Sequence, residues 1–137
     1  MSILLCATAA AADWTRVMAE SNLERRSKAA LEAGENSLEK ARHAYRQSDL
    51  KTTEAELAEV AKGVEIAQTS LKDSGKNPRK NPKYFKNAEV RTREILKRLS
   101  ALDHEMDFAD RALVQPVKEK IQRAHDGFLH DVMSKKK

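Results

Sequence analysis

Residues 50–71 read LKTTEAELAEVAKGVEIAQTSL. Leu50, Thr53, Leu57, Val60, Val64, Ala67 and Leu71 follow one another in alternating steps of three and four. An α-helix turns once every 3.6 residues, so this alternation keeps all seven on one side of a helix. A strand, with its period of two, would scatter them over both faces. Glutamates and lysines occupy many of the positions between, so the segment is an amphipathic helix with one face for a core and one for water. Ser74 and Gly75 follow directly, and a glycine just past the last turn is a helix stop.

The same alternation recurs on both sides of this stretch. Toward the C-terminus, Phe85, Ala88, Thr92, Ile95, Leu99, Leu102 and Met106 form one seam, and Val114, Val117, Ile121, Ala124, Phe128 and Val132 form another. Asp107 or Asp110 is expected to cap the last helix, with Pro116 in its first turn. Toward the N-terminus, Leu23, Ser27, Ala30 or Leu31, Gly34, Leu38, Ala41 and Tyr45 make a stripe that passes Gly34 without changing phase. It predicts one helix over residues 14–47, with a break at Gly34 as the other reading. Glycine costs a helix about 1 kcal/mol relative to alanine, so its place on the buried stripe predicts close approach of a neighbouring helix. No stretch alternates with a period of two.

The expected fold is all-α, an antiparallel four-helix bundle or two packed helical hairpins. Composition agrees: 34% of the 137 residues are charged, only six are aromatic, and there are four glycines and three prolines. The length suits one domain with a single core. Pairs on the expected outer faces include Glu89/Arg93 and Glu119/Arg123, which attract, and Glu35/Glu39, which repel.

The chain opens MSILLCATAAAAD, an apolar run from Ile3 to Ala12 that ends in small residues. Ala10 and Ala12 flank Ala11 in the manner of a signal-peptidase site, although no Lys or Arg precedes the run. Residues 1–12 are therefore expected to be a signal peptide or a disordered N-terminus, and residues 13–137 a single helical domain. A periplasmic or secreted protein follows, with a cytoplasmic one as the alternative. The run is too short to span a bilayer. The one cysteine, Cys6, excludes an intrachain disulfide and a cysteine-based zinc site.

Charge is distributed unevenly. Residues 1–71 have nine basic and eleven acidic side chains, residues 72–98 ten and three, and residues 99–137 seven of each. The basic character thus lies in SGKNPRKNPKYFKNAEVRTR, residues 74–93, and just beyond it. Asn81 and Pro82 are a favoured N-cap and first helical residue. The amides of that helix start would then face Arg79, Lys80, Lys83 and Lys86, while Lys76 sits at the end of the preceding helix and suits its negative pole. Cations at the positive end of a helix dipole are uncompensated, and amides with basic side chains converging on one spot suit an anion. These five residues are the candidate site for an anionic partner; a solvated turn is the bland alternative. Nucleic acid would draw phosphate contacts from Arg79, Lys80, Lys83, Lys86, Arg91 and Arg93. Adjacent Tyr84 and Phe85 are poorly placed to stack bases together.

The remaining polar residues offer less chemistry. In HDGFLHD, residues 125–131, Asp126 and His130 share a helical face that His104 would have to join to hold a metal. Neither a Glu-x-x-His nor a His-Glu-x-x-His spacing occurs, and His125 beside the apolar seam reads as a buried histidine bonded to a neighbour. There is no glycine-rich phosphate loop and no nucleophile elbow. No catalytic residue, metal or cofactor is expected.

Two resemblances complete the reading. ALEAGENSLEKARHAYRQSDLKTTEAELAEV, residues 30–60, is similar to the helical hairpin of a tetratricopeptide repeat, with Ala41, Ser48, Leu50 and Leu57 near its small, turn and large positions. The N-terminal run together with GKNPRKNPK and HDGFLHDVM resembles small uncharacterised secreted helical proteins of bacteria, which implies export and no particular activity. The sequence thus points to a non-enzymatic exported binding or scaffold module whose basic loop, residues 76–86, meets an unknown protein or an anionic envelope component. The alternatives are a cytoplasmic polyanion binder and a homodimer paired through the long first helix.

Overall fold

The computed structural model describes residues 8–134, with side chains from residue 14 onward; Cys6 and the first residues of the apolar run lie outside it. The elements are α1 (Thr8–Ala19), α2 (Leu23–Arg46), α3 (Leu50–Asp73), α4 (Pro82–Glu105), a 3₁₀ segment (Phe108–Leu113) and α5 (Gln115–Met133). No strand occurs among the described residues. Among the described residues, no helix is long and apolar enough to cross a membrane.

The seams become the core. Leu57, Val60, Val64, Ala67 and Leu71 from α3 meet Leu31, Leu38 and Ala41 from α2, Ile95, Leu99 and Leu102 from α4, and Ile121 and Phe128 from α5. Leu50, first of its seam, is 43% exposed because it sits in the first turn of α3.

Two helical hairpins pack side by side. In the first, α2 turns into α3 within three residues. Asp49 N–H bonds Ala44 O at 2.9 Å and Ser48 N–H bonds Tyr45 O at 3.0 Å, a Schellman closure that places Ser48 in the left-handed region at φ 61°. Asp49 then caps α3 by accepting from Thr52 N–H at 3.1 Å. In the second hairpin, α4 and α5 are joined through the 3₁₀ segment. The hairpins meet with α2 against α4 and α3 against α5.

A ladder of ion pairs shows that α2 and α4 run parallel. Arg91 pairs with Glu35 at 2.8 Å and with Glu32 at 3.7 Å, Arg98 with Glu39 at 3.6 Å, and Arg42 and Arg46 with Glu105 at 3.4 and 3.5 Å. Such partly exposed pairs add little stability one by one, about 0–1 kcal/mol each. Their arrangement sets the register, with α2 glutamates facing α4 arginines toward one end and α2 arginines facing Glu105 at the other.

Close approach within the first hairpin occurs where glycine was expected to allow it, and a second glycine shares the work. A Cβ on Gly63 would lie 2.7 Å from Ala30 O and 3.1 Å from Gly34 Cα, whereas one on Gly34 would meet nothing nearer than Val60 O at 3.5 Å.

Two expectations are corrected. Residues 14–47 are not one helix: the chain reverses at residues 20–22, and α1 folds back so that the buried Trp14 ring lies against Gly63. Trp14 Nε1–H donates to Glu59 Oε2 at 2.7 Å, and Lys62 Nζ lies 5.5 Å from its ring centroid. Asn22 starts α2 by accepting from Arg25 N–H at 2.9 Å, and Glu20 O accepts from Arg26 Nε at 3.0 Å. This cap competes with helix continuation, and Trp14 and Val17, which a continuous helix would place off the Leu23–Tyr45 stripe, are buried by the reversal. Helices α2, α3 and α4 have 24 residues each, so the overhang that would pair with a second copy is not formed. Nor does Asp107 or Asp110 cap α5, which begins after Val114 without a side-chain cap and has Pro116 in its first turn. Asp110 instead accepts from Tyr45 O–H at 2.9 Å, while Asp107 N–H donates to the same hydroxyl at 2.9 Å.

Candidate functional site

The basic turn forms where α3 ends and α4 begins. Gly75 adopts φ +69°, the left-handed conformation that carries the chain away from α3. Asn77 then organises the loop: its Oδ1 accepts from Arg79 N–H at 2.8 Å, and its carbonyl accepts from Lys80 and Asn81 N–H at 3.1 and 2.8 Å. Helix α4 starts at Pro82, as its residue type favours. Asn81 occupies the N-cap position but makes no side-chain cap bond, and the first turn of α4 contains no acidic residue.

The five expected site residues share this exposed end but are not equivalent. Lys76 Nζ pairs with Glu24 at 3.3 Å, tying the loop to the first turn of α2. Arg79 is also engaged within the chain. Lys83 Nζ lies 5.3 Å from the Tyr84 ring centroid. Among the described residues, no ion pair is made by Lys80, Lys83 or Lys86. Arg91 and Arg93, expected as further phosphate contacts, are both turned to carboxylates: Arg91 to Glu35 and Glu32, Arg93 to Glu89. Part of the basic excess of residues 72–98 is therefore matched inside the protein by carboxylates of α2: Glu24 for Lys76, Glu35 and Glu32 for Arg91, and Glu39 for Arg98.

A second polar constellation lies between α4 and α5. Glu89 and His125 are both 8% exposed, and His125 Nε2 is 2.9 Å from Glu89 Oε2. An ionised carboxylate only accepts hydrogen bonds, so Nε2 is the donor in this pair. Arg93 reaches the same carboxylate from one turn away, Nε to Oε2 at 3.0 Å and Nη2 to Oε1 at 3.2 Å. The guanidinium holds the Glu89 carboxyl below its ordinary value; burial opposes this, and the His125 hydrogen bond adds to it. His125 Nδ1 is buried without a hydrogen-bond partner. The sequence foretold a buried, bonded histidine and, separately, a Glu89/Arg93 pair. It did not connect them, because residues 89 and 125 meet only when α5 packs on α4.

The other polar candidates are dispersed. His104 Nδ1 lies 2.8 Å from Ser100 O, and Asp126 accepts from Gln122 Nε2 at 2.9 Å. Burial raises the Asp131 carboxyl above its ordinary value. Among the described residues, no group of three or more histidine, cysteine, aspartate or glutamate side chains could hold a metal ion. Arg123 makes no ion pair with Glu119, one turn before it on α5. No family model, curated protein or solved structure matches the chain.

Proposed function

We propose that this protein is an exported, non-enzymatic binding module that holds an anionic partner at the turn between α3 and α4. The observation behind the reading is the trio Lys80, Lys83 and Lys86: exposed, without an ion pair among the described residues, and gathered at a helix start that has no acidic side chain. Uncompensated cations beside unsatisfied helix amides favour a phosphate or carboxylate group. Support for export comes from the apolar run Ile3–Ala12 and its small-residue end. Nucleic acid is the weaker partner class, since Arg91 and Arg93 are committed to carboxylates within the fold.

The test is sedimentation of the protein with vesicles of anionic phospholipid and, separately, of zwitterionic phospholipid, at low and high salt. Binding to the anionic vesicles alone, weakened by salt and lost on replacing Lys80, Lys83 and Lys86 with Ser, is the expected result. Undiminished binding by the triple variant would overturn the assignment of the site. Fractionation of a bacterium expressing the untagged chain tests export: a form remaining wholly in the cytoplasm with its first residues intact counts against it.

A further inference from the structure

Helices α3 and α5 lie alongside one another and leave a shallow groove on the outer surface of the molecule. Its walls are low because Ala58, Ala61 and Ala124 line it, and beneath it Val64 and Ile121 are already buried in the core. Gln68 extends the lining toward Gly127, where a Cβ would come within 3.0 Å of its Nε2.

Three cations border it: Lys62 from α3, and Lys120 and Arg123 from α5. Lys62 is positioned over the Trp14 ring, while Lys120 and Arg123 make no ion pair among the described residues. Glu65 is the one acidic side chain in the lining. On the opposite side of the protein, between α2 and α4, arginines are matched by glutamates rung by rung. Here the basic side chains flank a strip of alanines and have no such match.

We infer that the α3/α5 groove is a docking surface for an acidic amphipathic helix of a partner protein. Alanines on the walls let a third helix approach closely, and its apolar stripe would rest on Ala58 and Ala61 and on the methylene stems of the flanking cations. Carboxylates flanking that stripe would meet Lys62 on one side and Lys120 and Arg123 on the other, and charge complementarity of this kind sets register and orientation. A lipid surface fits less well, because a concave strip of alanines offers nothing that projects into a bilayer. The chain's first seven residues contain no acidic side chain and would leave the three cations unmatched. This inference does not depend on the basic turn between α3 and α4.

The probe is a synthetic amphipathic peptide with leucine on one helical face and glutamate on the other, beside a control with lysine in place of glutamate. Binding is followed by NMR of the full chain. The expected result is binding of the Leu/Glu peptide alone, weakening with salt, with shifts centred on Ala58, Ala61 and Ala124. The double variant Lys120→Glu, Arg123→Glu should lower affinity by about tenfold or more, as like charges across an interface repel, and its circular dichroism should be unchanged. Replacing Lys80, Lys83 and Lys86 with Ser should leave peptide binding intact, which separates this surface from the proposed anion site. Equal binding of both peptides, shifts centred on residues 76–86, or full affinity in the double variant would overturn the inference. So would self-association of the unliganded protein that the double variant abolishes, since the occupant would then be a second copy.

Discussion

Glu89 on α4 and His125 on α5 form a buried carboxylate–imidazole pair, 2.9 Å between Oε2 and Nε2, that joins the two helices of the second hairpin. Replacing Glu89 with Ala leaves the ring without a partner at either nitrogen, because Nδ1 has none already. An unsatisfied buried polar group costs about 1–3 kcal/mol, so Glu89→Ala should lower the denaturation midpoint by a corresponding amount. His125→Phe fills the space without the polar demand and should cost less. Equal losses in the two variants would show that packing, and not hydrogen bonding, sets the value of the contact.

The same carboxylate gives a pH dependence with a definite sign. Its folded-state pKa lies below its ordinary value, held there first by Arg93 and opposed by burial. Its contribution to stability is therefore complete above the unfolded pKa of about 4.3 and is lost as pH falls through the folded value. Thermal melts across the acid range should show a shallower decline for Glu89→Gln than for the unmodified protein. Parallel declines would remove Glu89 from the acid response.

Gly34 and Gly63 face each other but should respond differently to alanine. At Gly63 the new Cβ meets backbone, Ala30 O at 2.7 Å, and α2 must move away from α3. Overpacking of this kind costs about 1–3 kcal/mol. At Gly34 the nearest atom is 3.5 Å away, so Gly34→Ala should be neutral or stabilising by up to about 1 kcal/mol through helix propensity. Chemical denaturation of the two variants checks the asymmetry.

Ser48 holds a left-handed backbone conformation in the α2–α3 turn, at φ 61°. Glycine adopts that conformation without steric cost, so Ser48→Gly should stabilise the protein by about 1 kcal/mol, and Ser48→Val should destabilise it. The ordering of their melting temperatures is the measurement.

Tyr45 anchors the connection between α4 and α5 through one oxygen, donating to Asp110 and accepting from Asp107 N–H. Tyr45→Phe should speed amide exchange at Asp107 and in the 3₁₀ segment while leaving α3 unaffected. Unchanged exchange at these amides would mean that the segment is held by its other contacts.

The helical seams were legible because each is a local repeat. Once Val60 and Val64 lie on the same face as Leu57 and Leu71, water alone decides which face turns inward. The stop at Gly75 and the start at Pro82 were legible for a related reason, since a residue's own backbone preference acts wherever it stands in the chain. The reversal at residues 20–22 does not show in a stripe traced only from Leu23; carried back at helical spacing, that stripe passes by Trp14 and Val17, which lie on other faces. A second signal of the reversal was the side-chain oxygen of Asn22, available to cap a new helix. What only the tertiary structure decided is which charges meet. A count of basic residues over 72–98 cannot tell Arg91, bonded to Glu35 across the hairpin interface, from Lys83 or Lys86 at an exposed helix start. Likewise His125 and Glu89 lie far apart along the chain and meet through the rotation of α5 on α4. Periodicity is a property of one helix, whereas pairing depends on the rotation and register between two, and those are set by how the apolar faces pack together.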